Sequence, residues 1–179
     1  MQEIETKILE VDVNKFREKM LELNAEKILD TRLSVDWFKA PNHEEGKYPW
    51  FLRIRTDSEG NSEITWKGKR EHLGASSTKK EINLKITDLK SCEELFLEIG
   101  LEIYGHQEKD RISWKYKDWR FDLDQYPKMP AYLEIEGNSE ESIQEAIKLF
   151  GFESKIATPL GERDVITKNY GLNWFDMHF

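Results

Sequence analysis

Hydrophobic and polar residues alternate with a period of two along most of this chain, and the polar face of each alternating segment is charged. In residues 2–10, Glu3, Glu5 and Lys7 share one face, and Ile4, Thr6 and Ile8 the other. Arg53 and Arg55 are opposed by Leu52 and Ile54. Thr65, Lys67 and Lys69 are opposed by Ile64 and Trp66, and Glu81, Asn83 and Lys85 by Ile82, Leu84 and Ile86. Further along, Lys109 and Arg111 oppose Ile112 and Trp114, Asp122 and Asp124 oppose Phe121 and Leu123, and Glu134 and Glu136 oppose Leu133 and Ile135. The pattern predicts strands at 2–10, 26–39, 50–57, 62–69, 79–86, 102–116, 119–125 and 131–136.

Three segments change to helical spacing. The first follows Asp12 and carries Val13, Phe16, Met20 and Leu23 on one face. The second follows Thr87, carries Leu89, Cys92, Phe96 and Ile99, and stops at Gly100. The third follows Asn138, with Glu141 placed to complete a capping box, and stops at Gly151 after Ile143, Ala146, Ile147 and Phe150. Residues 41–49 and 68–78 read as loops. After 150 come a turn at 158–161, a short helix near 162–169 and an aromatic tail. Eight strands with few intervening helices predict an α+β fold: a closed, eight-stranded antiparallel β-barrel with helices packed outside, forming one domain over 1–179.

Composition adds exclusions. The 179 residues hold 35 Asp and Glu against 27 Lys and Arg, and the net charge of −8 argues against nucleic acid or an anionic membrane as partner. No apolar run is long enough for a membrane span, and the start MQEIETK is not a signal segment, so the sequence reads as cytoplasmic. With a single cysteine, Cys92, no internal disulfide forms, and Cys92 reads as a small buried thiol. His43, His72, His106 and His178 lack the spacing of a zinc site.

Charged faces on strands normally point at water. Here acidic strands are almost wholly acidic and basic strands almost wholly basic, and like charges on one strand face repel. Three amphipathic helices also need an apolar surface, which the opposite faces supply. The charged faces therefore read as turned inward, with the repulsion relieved by ligands. Clustered carboxylates suit Mg²⁺ or Mn²⁺, and clustered Arg and Lys suit phosphate oxygens.

The ordered set of motifs resembles the CYTH superfamily, the triphosphate tunnel metalloenzymes. Its members include class IV adenylyl cyclases and thiamine and inorganic triphosphatases. The resemblance rests on Glu3-x-Glu5-x-Lys7, Arg53-x-Arg55, Lys67, Lys109-x-Arg111, Asp124 and Glu134-x-Glu136, and it spans residues 1–136. It implies an eight-stranded tunnel with substrate inside. Glu3, Glu5, Asp124, Glu134 and Glu136 are implied to hold Mg²⁺ or Mn²⁺. Lys7, Arg53, Arg55, Lys67, Lys109 and Arg111 are implied to bind phosphates, with Lys7, Arg53, Arg55 and Lys67 acting in catalysis. Glu81 falls at an inward acidic position of the substrate site, and Arg163 or Lys168 is a candidate to complete it. The sequence departs from the pattern at Met129-Pro130, where many members carry Leu-Gly, and at Asn83, where a charge is common.

The first functional expectation is a metal-dependent phosphohydrolase acting on inorganic triphosphate or a small organic triphosphate such as thiamine triphosphate. The alternative is a class IV adenylyl cyclase converting ATP to cyclic AMP and pyrophosphate, in which Trp37, Trp50 or Tyr132 is available to stack on the base. A third reading is a non-catalytic binder of polyphosphate or nucleotide. A homodimer stays open.

Overall fold

A computed structural model describes residues 2–43, 50–69, 71–73, 76–153 and 155–179, with the side chains of Gln2, Glu3, His72 and Leu73 outside the description. Part of each expected loop, 41–49 and 68–78, also lies outside the described residues.

Among the described residues ten strands are formed: β1 (Gln2–Ile8), β2 (Glu26–Lys39), β3 (Phe51–Thr56), β4 (Ser62–Lys67), β5 (Glu71–Leu73), β6 (Ser76–Ile86), β7 (Glu102–Tyr116), β8 (Trp119–Gln125), β9 (Tyr132–Gly137) and β10 (Ala157–Thr158). Eight of them close a ring in the order β1-β9-β8-β7-β2-β3-β4-β6, with β6 pairing back onto β1 and every pairing antiparallel. The fold is thus a closed eight-stranded antiparallel barrel of the α+β class, as the alternation predicts. β5 and β10 attach at the rim. Most of the segment read as a loop at 68–78 is extended, because β6 begins at Ser76 and β5 pairs with it.

The helices are α1 (Val13–Glu22), α2 (Leu89–Glu98), α3 (Glu140–Leu149) and a short turn α4 (Glu162–Asp164) that runs into a π-helical turn over Val165–Asn169. Asp12 caps α1 through the Lys15 amide, as expected. The other two caps fall one residue later than predicted: Asp88, not Thr87, caps α2, and Ser139, not Asn138, caps α3. In each case the residue one step later has an oxygen that accepts the third amide of the helix.

The strand faces opposite the charges form the main core. Phe16 and Met20 of α1 and Ile143, Ala146 and Ile147 of α3 pack on Trp114, Phe121, Leu123, Leu133 and Ile135. The third helix, α2, packs on the barrel more lightly: Phe96 meets the buried Phe38 ring of β2 edge-on at 5.1 Å, but no residue of α2 is fully buried. Cys92 is accordingly half-buried, and burial together with Glu93 and Asp88 raises its pKa. Among the described residues, no helix is long and apolar enough to cross a membrane.

A second apolar cluster occupies one end of the barrel. Leu9, Leu33, Val35, Trp37 and Tyr132 meet Val165, Ile166, Trp174 and Met177 of the C-terminal segment there. Gly105 permits this docking, since a Cβ at that position would lie 2.8 Å from the Trp174 ring. The Met177 carbonyl accepts the Glu108 amide at 2.7 Å and ties the segment to β7.

Candidate active site

The charged strand faces line a cavity of about 1240 Å³ inside the barrel, with Glu5, Lys7, Arg53, Arg55, Lys67 and Glu134 in its wall. The alternation puts them there. Because the apolar residues of β1, β8 and β9 go to the helices, their neighbours in sequence point the other way.

Strand pairing offsets, without removing, the repulsion the sequence suggested: cations reach Glu5 and Glu134, while Glu5 still meets like charge from Glu134 and faces Glu136 across the pairing. Lys7 of β1 lies opposite Glu134 of β9, and Glu5 opposite Glu136. The Lys7 ammonium is 2.9 Å from Glu134 Oε1 and 3.4 Å from Glu5 Oε1. Glu5 also meets Lys79 at 3.1 Å and Lys67 at 4.0 Å, and Lys67 pairs with Glu81. Burial opposes ionisation of Glu134, but Lys7 and Arg111 outweigh it and hold the carboxyl well below its usual range. Glu5 is lowered in the same way: burial opposes its charge, and Lys7, Lys79 and Lys67 favour it.

Arg111 and Lys109 are committed to carboxylates. Arg111 donates to Asp124 Oδ1 and Oδ2 at 2.6 Å each, to Asp122 Oδ2 at 2.5 Å and to Glu134 Oε2 at 3.3 Å. Lys109 donates to Asp124 Oδ2 at 2.8 Å and to Glu162 Oε2 at 2.5 Å. The Tyr132 hydroxyl donates to the same two carboxylates. Asp124 is fully buried, with both oxygens occupied.

Arg53 and Arg55 are freer. Arg53 is 7% exposed, its guanidinium lies 5.4 Å from the Trp37 ring, and its buried Nε has no hydrogen-bond partner. Arg55 donates to Glu63 at 2.8 Å. Burial and the neighbouring charges of Arg53 and Arg111 pull its pKa below the usual value, a local excess of positive charge.

For a metal, Glu5, Glu134 and Glu136 offer hard oxygen donors on two paired strands, which suits Mg²⁺ or Mn²⁺. Among the described residues no three Asp, Glu, His or Cys side chains already converge as a metal site. The side chain of Glu3 lies outside the description.

The sequence did not single out Lys79, Asp122 or Glu162. Lys79 was legible, since it shares the inward face of β6 with Glu81 two residues on. Asp122 shares the inward face of Asp124 and has its own contacts to Arg111 and to Arg120, at 2.9 Å. Glu162 had no signal, because it reaches the cavity from a separate segment. Of the two C-terminal candidates, Arg163 lines the cavity with its guanidinium 4.5 Å from the Trp174 ring, whereas Lys168 is exposed and pairs with Asp164. Trp37 and Tyr132 are buried, while Trp50 stands half-buried at the cavity rim near His43 and Tyr104.

Comparison with known proteins bears on this site. A Methanocaldococcus jannaschii protein, provisionally named an adenylate cyclase, is 28% identical over 173 residues, covering 95% of this chain and 97% of that protein. A solved Vibrio parahaemolyticus structure, also provisionally named an adenylate cyclase, superposes with a TM-score of 0.78 at 14% identity, over 92% of this chain and 97% of that one. A Hippeastrum protein, provisionally named an adenylyl cyclase and described as having a dominant triphosphatase activity, superposes with a TM-score of 0.69 at 13% identity, over 96% and 97% of the two chains. The profile of the CYTH domain matches residues 1–165. With that match over nearly its whole length, and with a closed barrel whose charged faces line one cavity, the chain belongs to the CYTH family.

Proposed function

We propose that this protein is a metal-dependent triphosphatase acting on inorganic triphosphate or a small organic triphosphate within the barrel. The observation that carries this reading is the Arg53–Arg55 pair. A buried and a half-buried guanidinium face one cavity, the first with an unpartnered Nε and the second with its charge disfavoured by desolvation and by its cationic neighbours. Polyanionic phosphate relieves both conditions, and guanidinium matches phosphate oxygens bidentately. The named activity of the Hippeastrum fold relative supports the same reaction class.

Glu5, Glu134 and Glu136, with Glu3, would hold Mg²⁺ or Mn²⁺. When bound, such an ion neutralises phosphate oxygens and acidifies water. Asp124 serves behind the site by fixing Arg111 and Lys109. Lys7, between Glu5 and Glu134, and Lys67, between Glu5 and Glu81, orient the phosphate chain along the wall. Arg53 and Arg55 stabilise charge on the phosphoryl oxygens as water attacks the terminal phosphorus and the bond to the leaving diphosphate breaks. The buried wall is pre-organised, so little reorganisation accompanies the charge change. We place the activity in the cytoplasm as part of this reading.

A second reading, adenylyl cyclase, has two supports: the name of the M. jannaschii relative, and the rim of Trp50, His43 and Tyr104 beside the cationic wall, where a base has room to stack. A substrate panel of inorganic triphosphate, thiamine triphosphate and ATP, with Mg²⁺ or Mn²⁺, tests both. The triphosphatase reading expects phosphate release. Release of pyrophosphate with cyclic AMP from ATP selects the cyclase instead.

A further inference from the structure

The C-terminal segment does more than fill the end of the barrel. Its short turn α4 presents Glu162 to the cavity among three polar groups: the Lys109 ammonium at 2.5 Å, the Tyr132 hydroxyl at 3.2 Å and, nearby, the Tyr126 hydroxyl. The Glu162 side chain is 14% exposed, and it lines the same cavity as Arg53 and Arg111. Lys109 is thereby shared between two carboxylates, Asp124 and Glu162, with its ammonium 5.3 Å from the Tyr126 ring. Two of its three N–H donors are thereby taken, and its charge is balanced by two carboxylates.

Held this way, a carboxylate stands where a phosphate oxygen would otherwise meet Lys109. Val165 and Ile166, immediately after α4, are fully buried in the second apolar cluster, so the carboxylate is anchored by packing as well as by ion pairing. Tyr126 and Tyr132 stay protonated because burial and the adjoining carboxylates push their pKa values well up, and the Tyr132 hydroxyl donates to Glu162, while the buried Tyr126 hydroxyl beside it has no hydrogen-bond partner among the described residues.

We infer that Glu162 is a specificity-determining residue that sets the length of phosphate chain the cavity accepts, by occupying one donor of Lys109, offsetting its charge and presenting a negative charge to any additional phosphate. The inference rests on the triphosphate reading and goes beyond it. It gives Glu162 a role in selecting the substrate and Lys109 a role in holding Glu162. In the wild type, inorganic triphosphate is preferred over inorganic tetraphosphate. Removing the charge leaves Lys109 less neutralised and takes a repelling carboxylate from the cavity, so the longer chain gains more than the shorter one.

The test is the ratio of dissociation constants for inorganic tetraphosphate and triphosphate, measured by calorimetry in chelator and again with Mg²⁺, for wild type and Glu162→Gln. The Gln variant keeps the shape and an oxygen acceptor for Lys109. One unit of charge at this distance in a partly buried site is expected to move the ratio toward tetraphosphate by about tenfold. KM for triphosphate should fall with little change in kcat. Glu162→Asp keeps the charge but draws it back from Lys109, so it should shift the ratio the same way by less, and it carries the test alone if the Gln variant does not fold. A merely structural role predicts a lower melting temperature with the ratio unchanged, and that result overturns the inference while leaving the triphosphate reading intact. If neither protein binds either chain, with or without Mg²⁺, the triphosphate reading falls and the inference falls with it.

Discussion

Lys7 and Glu134 are direct partners across the β1–β9 pairing, and their side chains meet inside the barrel at 2.9 Å. The third residue of the Glu3-x-Glu5-x-Lys7 motif is therefore bonded to the first of Glu134-x-Glu136. Two motifs far apart in sequence act as one charged unit.

That unit predicts the behaviour of Glu134→Gln. Turnover should fall to background, because a proposed metal donor and the partner of Lys7 are lost together. The empty protein should also become less stable. Breaking a buried pair can cost about 3–5 kcal/mol, but Lys7 keeps Glu5, and Arg111 keeps Asp122 and Asp124, so the loss should sit below that range. Phosphate-release assays and thermal melting check both parts. A stabilised variant would mean that like-charge repulsion, rather than cross-strand pairing, governs the empty barrel.

Arg53 and Arg111 should separate binding from stability. Arg53 has no ion pair among the described residues, so Arg53→Ala should melt near wild type while losing about 1.5–3 kcal/mol of triphosphate affinity, the worth of a charged hydrogen bond. Arg111→Ala strands the buried carboxylates Asp122 and Asp124 and should lower the melting temperature markedly. Calorimetric titration beside melting curves would show the contrast. Equal destabilisation by both variants would refute the division.

Acid should unfold the protein through the same carboxylates. Glu5, Asp122, Glu134 and Glu162 all have lowered pKa values: burial opposes their charge, and Lys7, Arg111, Arg120 and Lys109 prevail over it. For a lowered carboxyl, the stabilisation is complete above the unfolded-state pKa, about 4, and is lost as pH falls through the folded-state value. Urea midpoints should be level from about pH 7 to pH 5 and drop steeply below about pH 4. A midpoint that holds or rises in that acid range would show that these pairs contribute no net stability.

Ligand and metal should stabilise cooperatively. A ligand binding only the folded state adds about 2.7 kcal/mol at a hundredfold excess over its dissociation constant. Mg²⁺ with a slowly hydrolysed triphosphate analogue should raise the melting temperature by more than the two separate shifts combined, and Glu134→Gln should remove most of the excess. Merely additive shifts in the wild type would place metal and phosphate in independent sites.

Much of the fold could be read from the chain because period-two alternation is a local signal. Each strand's apolar face demands a core, and its other face then has one direction left. Seven of the eight barrel strands lie within two residues of their predicted limits at both ends; the exception is β6, which starts three residues early. The caps of α2 and α3 moved by one residue, because Thr87 and Asp88, and likewise Asn138 and Ser139, are adjacent residues with equally suitable oxygens.

What the sequence by itself determined was which side chains are charged and which faces they share, and hence that one set of charges must be enclosed. Which charges meet was decided by register and chain closure. Only the β1–β6 and β4–β6 pairings bring Lys79 and Lys67 to Glu5, and only the β1–β9 pairing brings Glu134 to Lys7. Only the docking of the C-terminal segment through Trp174 and Ile166 brings Glu162 to Lys109, 53 residues away in the chain. Local periodicity fixes the direction of a side chain but carries no information on its partner, because the partner depends on long-range packing of strands and segments whose own sequences do not encode each other's position.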